Sequence, residues 1–212
     1  VDMNRNYGWH WGSTGASDNP SSDTYHGKKA FSEPENMAIK ELADKEHFQA
    51  SISFHSYSEL VLYPFGYAYN VPNDNTPTLS KLAKEMAAFN HYTPENSADL
   101  YPAMGDSDDW LHGEHKTLAF TFELATTFIP QPGEIAGINQ LNVPAVFHLI
   151  DKAGTYALTS PTGDKHLVAN LDLPSALRAI DDGGSLLNDY SGEARAQVSD
   201  RLQLIGGIGR AS

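Results

Sequence analysis

Leu118-Ala-Phe-Thr-Phe-Glu-Leu124 is the segment that most limits how this chain can fold. It is rich in aromatic and β-forming residues, carries a single acid, and reads as a central strand of a sheet. Ala50 to Tyr57 alternates small polar and apolar residues and reads as a second, buried strand; Leu60 to Pro64 continues extended before Gly66. Ser32-Glu33-Pro34-Glu35 reads as a helix start, with Ser32 as N-cap and proline near the first helical position, running to about Lys45. Thr78 to His91 repeats Leu79, Leu82, Ala83 and Met86 at helical spacing, and Ile138 to Ala153 has one apolar face. Strands alternating with helices predict an α/β fold with helices on the faces of its sheet.

The rest of the chain is punctuated by composition. Val1-Asp2-Met3-Asn4-Arg5-Asn6 opens without an initiator Met or a leader and reads as a strand end already under way, as in the interior of a domain. Gly12 to Ser22, rich in Gly, Ser, Asn and Pro, is a loop. Thr159-Ser-Pro-Thr-Gly163 reads as a linker, followed by short helical patterns at Ser175–Ile180, Ser185–Tyr190 and Glu193–Ile205. The expected organisation is therefore a domain over 1–157 and a helical C-terminal extension over 158–212.

Several chemistries are excluded early. The chain has no cysteine, hence no disulfide, no thiolate metal site and no cysteine nucleophile. Its net charge of −13 argues against nucleic acid as a partner, because phosphate recognition needs a basic footprint. No apolar run approaches the roughly 18 residues of a membrane span.

A few residues stand out for chemistry. His55 falls near the C-terminal end of the Ala50–Tyr57 strand, where a histidine is ordinarily a satisfied structural residue; as a metal ligand it would need partners. No His-x-x-Glu or His-Glu-x-x-His occurs in the chain. Glu123 is a carboxylate inside an apolar strand, either tuned upward as a general base or paired with a core Arg or Lys. Asn4-Arg5-Asn6 suits forked recognition of a carboxylate, although a solvated loop arginine is the commoner case. Leu100 to Trp110 combines the phenol of Tyr101, Gly105 and the acids Asp106, Asp108 and Asp109; helix capping is the plain explanation, and the spacing is not that of a calcium loop.

In this order, the segments Asp2-x-Asn4-Arg5-Asn6, Asn19-Pro-Ser-Ser-Asp-Thr-Tyr-His-Gly27, Ser32-Glu-Pro-Glu35, Ser53-Phe-His-Ser-Tyr-Ser58, Tyr63-Pro-Phe-Gly66, Tyr101 with Gly105 and Asp109-Trp110, and Phe120-Thr-Phe-Glu-Leu124 resemble the zinc metallocarboxypeptidase family of the carboxypeptidase A/B type. The likeness runs from residue 1 to about 157. It implies a three-layer α/β/α fold around a mixed sheet, one zinc ion, removal of C-terminal residues from peptides, and a secreted or periplasmic setting. By position, His55 matches a zinc ligand and Glu123 the general base and acid. Asn4 and Arg5 match the grip on the terminal carboxylate, and Tyr101 matches the tyrosine that closes over it. Ser56 and Tyr57 match the lining of the peptide groove, and Asp2 a carboxylate that orients a zinc-bound histidine. Asp108, two residues before Trp110, matches the floor of the side-chain pocket, where an acid selects Lys or Arg, so the implied preference is carboxypeptidase B-like or, with Asp106 letting the loop shift, dual. In the implied scheme, zinc polarises the scissile carbonyl and activates a water, Glu123 takes its proton, and Arg5 anchors the C-terminus.

The family's other two zinc ligands, in a His-x-x-Glu segment upstream of the Asn-Arg pair, have no counterpart here, nor does its oxyanion arginine. The expectation is a chain that holds zinc weakly and is inactive alone, its partners being peptide C-termini and the missing N-terminal part of the same domain. The rival expectation is a non-catalytic peptide-binding or structural module.

Overall fold

A computed structural model describes residues 1–155. All of these fall within the first of the chain's two units, Val1–His166. The extension expected over 158–212 lies outside the described residues. In chain order, a 3₁₀ turn (Met3–Arg5) is followed by α1 (Pro34–Glu46), β1 (Ala50–Ser56), β2 (Leu60–Tyr63), α2 (Thr76–Asn90), β3 (Thr93–Asn96), α3 (Ser97–Leu100), α4 (Ser107–His115), β4 (Leu118–Leu124) and α5 (Ile135–Ala153). The opening segment, read from sequence as a strand end, is thus a tight turn capped by the Asp2 carboxylate, which accepts from the Asn4 amide.

The strands form one mixed sheet in the order β1-β4-β2-β3. β4 runs parallel to β1 and antiparallel to β2, and β2 is parallel to β3. Period-two alternation along β4 sorts its side chains. Leu118, Phe120 and Phe122 enter a core with Leu79, Leu82 and Met86 of α2 and Ala145 and Leu149 of α5. Ala119 faces the other way, against Ala43 of α1, Trp110 and Leu111 of α4, and Tyr7. The result is three layers, α/β/α. Phe120 and Phe122 are fully buried, each contributing about 1.5–3 kcal/mol of transfer free energy. The polar odd-numbered positions, Thr121 and Glu123, are left on the α4 face.

Two expectations are corrected. β1 is not a fully buried strand: among the described residues it pairs with β4 alone, and Phe54 is 52% exposed. Ser32 is not the cap of α1; Glu33 holds that position without a side-chain hydrogen bond, while the Ser32 hydroxyl accepts from Asn6 and donates to Glu33. The acids after Gly105, whose plain explanation is helix capping, do open a helix, α4, with Asp106 as its cap.

Helices α1, α2 and α4 end on His47, His91 and Lys116, each in the left-handed conformation, with the capping N–H returned to the last turn. None of these is glycine, so the usual sequence stop signal is missing at all three.

Candidate active site

His55 and Glu123 are register partners on the parallel strands β1 and β4, each one residue from its strand's end. Their side chains meet on the α4 face, with His55 Nδ1 3.9 Å from Glu123 Oε1. Burial, and then the positive charge of Arg5, push the His55 pKa down, while Asp2 opposes them. The imidazole is therefore held neutral, with a lone pair available to a Lewis acid. Burial pushes the Glu123 pKa up. No described Lys or Arg pairs with Glu123, so the reading of it as half of a core ion pair falls away.

Arg5 is 8% exposed and held from below by the backbone. Its Nε donates to Gly15 O at 2.8 Å, one terminal nitrogen to Asn4 O at 2.7 Å, and the other to the Tyr101 hydroxyl at 3.4 Å. Of five guanidinium N–H groups these use three, leaving one on each terminal nitrogen for an incoming acceptor. Asn4 accepts from the Ser107 amide at 3.0 Å through Oδ1, so its NH₂ group is free to donate. Tyr101, 50% exposed, lies with its ring 5.9 Å from the guanidinium carbon. The loop carrying Tyr101 can lie on Arg5 only because residue 105 is glycine: at φ +75°, an added Cβ would sit 2.4 Å from Arg5 O.

Behind this pair lie three acids. Asp106 caps α4, accepting from the Asp109 amide at 2.8 Å. Asp109 accepts from the Gly66 and Tyr67 amides, which pins that loop to α4. Asp108 is different. It is 4% exposed; Oδ2 accepts from Thr121 Oγ1 at 2.6 Å, and Oδ1 has no hydrogen-bond partner. The hydroxyls of Ser53 and Ser107 lie close enough to favour its charged form without reaching Oδ1 in hydrogen-bonding geometry. Burial, reinforced by the Asp106 charge, pushes the Asp108 pKa up to about 7. Burial likewise pushes Asp106 up to about 6, with its N–H partners and Arg5 opposing.

A carboxyl whose folded pKa is raised binds an extra proton in the folded state between its ordinary value and the raised one, so stability is lost as pH climbs through that window. Asp108→Asn cannot lose that proton. With the folded pKa near 7, the variant should be more stable than the parent at pH 8 by on the order of 4 kcal/mol, and the gap should close by pH 4. Urea midpoints at the two pH values check this; an equal gap at both would refute it.

The fold gathers Asp2, Asn4, Arg5, His55, Tyr101, Asp108 and Glu123 around one region. Ser56 and Tyr57 lie at its rim: the Ser56 hydroxyl donates to Phe128 O at 3.0 Å, and the Tyr57 ring packs edge-on against Phe128 at 4.7 Å. Sequence reasoning missed Ser53, Thr121 and Ser107 around the Asp108 carboxylate. The signal was present, because Ser53 and Thr121 are each two residues before His55 and Glu123, on the same face of their strands. As a zinc shell the set is incomplete. His55 fits one ligand position, but among the described residues no three His, Cys, Asp or Glu side chains converge.

A family model described as "Zinc carboxypeptidase" matches residues 1–145. Carboxypeptidase B of Bos taurus is 40% identical over 133 residues, covering 58% of this chain and 32% of the relative. Carboxypeptidase A1 of Homo sapiens is 42% identical over 134 residues, covering 60% and 32%. The chain thus spans about a third of the length of these curated relatives. Among solved structures, bovine thrombin-activatable fibrinolysis inhibitor in complex with tick carboxypeptidase inhibitor aligns with a TM-score of 0.67 at 29% identity, over 72% of this chain and 56% of that one. Carboxypeptidase A of Helicoverpa armigera aligns with a TM-score of 0.66 at 25% identity, over 73% and 42%.

Proposed function

The chain belongs to the zinc carboxypeptidase family, and on that premise we propose that this site belongs to a metallocarboxypeptidase that removes C-terminal residues from peptides, with a preference for Lys or Arg. The observation that carries the reading is that Arg5, with two N–H donors open, lies near the neutral His55, whose Nδ1 is 3.9 Å from the Glu123 carboxylate.

Arg5 and the Asn4 amide take the terminal carboxylate of the peptide, a charge-assisted and forked contact that fixes which peptide bond lies at Glu123. Tyr101, exposed and already at the guanidinium, covers the bound end. Glu123 takes a proton from the attacking water and returns it to the departing amine, a role suited to a carboxylate whose pKa is raised by burial. Asp108 receives the side chain of the residue to be removed. If zinc were bound, it would supply polarisation of the scissile carbonyl and a lowered pKa for a water. Of its ligands, His55 is the one these residues supply. By family likeness, the protein acts in a secreted or periplasmic setting; no helix among the described residues is long and apolar enough to cross a membrane.

We propose further that the 212-residue polypeptide by itself holds zinc weakly and turns over little. Structural zinc sites supply about 10–16 kcal/mol with a full ligand set, and most of that is lost when one imidazole must serve. Metal analysis after chelation should find well under one zinc per chain. Stoichiometric, chelator-resistant zinc would overturn the proposal, as would release of C-terminal residues at an ordinary carboxypeptidase rate.

The same ligand shortage favours a second reading, a non-catalytic module that grips peptide C-termini through Arg5 and Asn4. The two part on one assay of the full-length gene product. Hydrolysis of a peptide ending in Arg supports the enzyme, whereas binding of that peptide without cleavage, abolished by amidating its C-terminus, supports the module.

A further inference from the structure

Two residues beyond Glu123 the chain turns through Ala125, a non-glycine residue held at φ +60°. Ala125 is buried, so both of its backbone polar groups need partners. Its carbonyl accepts from the Ser58 amide at 3.1 Å, which ties the segment after β4 to the segment after β1. Its N–H donates to the hydroxyl of Tyr92 at 3.4 Å. Because the left-handed backbone at Ala125 is intrinsically unfavourable, it persists only while its surroundings hold it.

Tyr92 is itself fixed by a polar relay. Its hydroxyl accepts from Asn142 Nδ2 at 3.0 Å, and the same nitrogen donates to Ile138 O at 2.9 Å. Asn142 Oδ1 accepts from Asn90 Nδ2 at 3.0 Å, and Asn90 Oδ1 takes the Tyr92 amide at 3.1 Å. Tyr92, Asn90 and Asn142 are all buried. Apolar residues would cover this junction between α2 and α5 with no polar groups to satisfy. A fully connected buried network gives up that simplicity for a single geometry.

We propose that Tyr92 is a positioning residue for Glu123: its hydroxyl, propped by Asn142, clamps the Ala125 amide and so fixes the strand end that aims the Glu123 carboxylate beside His55. The proposal rests on the reading of Glu123 as the general base. It assigns the Asn90–Asn142–Tyr92 relay a task in the site, in addition to joining two helices.

The test compares Tyr92→Phe with Asn90→Ala in the full-length gene product. Asn90→Ala breaks the same relay without touching Ala125. Each variant is measured for amide hydrogen exchange over residues 120–127, for thermal midpoint, and for kcat and KM on a peptide substrate. Tyr92→Phe should speed exchange at this strand end about tenfold and lower kcat about tenfold, with KM within about twofold. Asn90→Ala should lower the midpoint at least as much while kcat stays within about twofold of the parent. Should Tyr92→Phe not fold, Asn142→Ala, which keeps the hydroxyl but removes its prop, should move exchange and kcat in the same direction by less. The proposal is overturned if exchange at the strand end matches the parent, if kcat does, or if Asn90→Ala loses kcat as fully as Tyr92→Phe. A parent with no peptidase activity instead refutes the reading of Glu123, and the exchange data still decide whether Tyr92 holds the strand end.

Discussion

Glutamine at position 123 should lower kcat by about 10²–10⁴ in the full-length gene product while leaving the affinity for a peptide C-terminus nearly unchanged. The amide keeps the shape of the carboxylate but cannot take a proton from water. Binding is spared because the groups proposed to grip the terminal carboxylate, Arg5 and Asn4, are positioned by Gly15 O, Asn4 O and the Ser107 amide and make no hydrogen bond to Glu123. No described residue donates a hydrogen bond to the Glu123 side chain, so the substitution leaves no partner stranded, and the fold should lose little stability. Steady-state kinetics beside calorimetric binding of a non-hydrolysed peptide separate the two effects. Turnover within a few-fold of the parent would remove Glu123 from the chemistry, and an equal loss of binding would make it a structural residue.

Asp108→Ile should reverse the preference for the departing side chain, with the Arg-to-Phe ratio of kcat/KM falling about 10²-fold or more. Asp108 Oδ1 is buried with no hydrogen-bond partner, and Arg5, which bonds to two carbonyls and to Tyr101, makes no hydrogen bond to it. A Lys or Arg side chain satisfies that oxygen with a charge-assisted bond, whereas a Phe or Leu leaves it desolvated and unpaired. Asp106 adds negative field but is held as the cap of α4, so the larger share falls to Asp108. Since burial and Asp106 raise the Asp108 pKa to about 7, the preference of the parent for Arg should strengthen as pH rises through that value and flatten below it. A parent that favours Phe, or a variant whose ratio does not fall, would sink the assignment.

How much of this was legible beforehand differs from element to element. The β4 boundaries, Leu118 to Leu124, follow from an apolar run whose alternation is visible within the segment itself. α2 and α5 begin two or three residues before their predicted starts, since their apolar faces are periodic and only their ends are ambiguous. The stop of α2 lacks the usual glycine, having His91 in its place, whereas α5 stops before Gly154. α4 was harder. Capping by its acids was legible and Asp106 is the cap, but nothing local showed that Asp109 holds Gly66 and Tyr67.

Residue identities in sequence order were enough to name the family and to nominate His55, Glu123, Arg5, Tyr101 and Asp108, because side-chain chemistry and local spacing are properties of a short stretch of chain. Which of those groups meet was decided by the fold. His55 and Glu123 are 68 residues apart and become neighbours through the parallel register of β1 on β4; a shift of one residue would turn either side chain to the opposite face. The two open donors of Arg5, the unpartnered oxygen of Asp108 and the exposed flank of β1 are likewise outcomes of contacts between distant segments. A local pattern states what a residue can donate, accept or bury. Only the packed structure determines which of those capacities are already spent and which remain for a ligand.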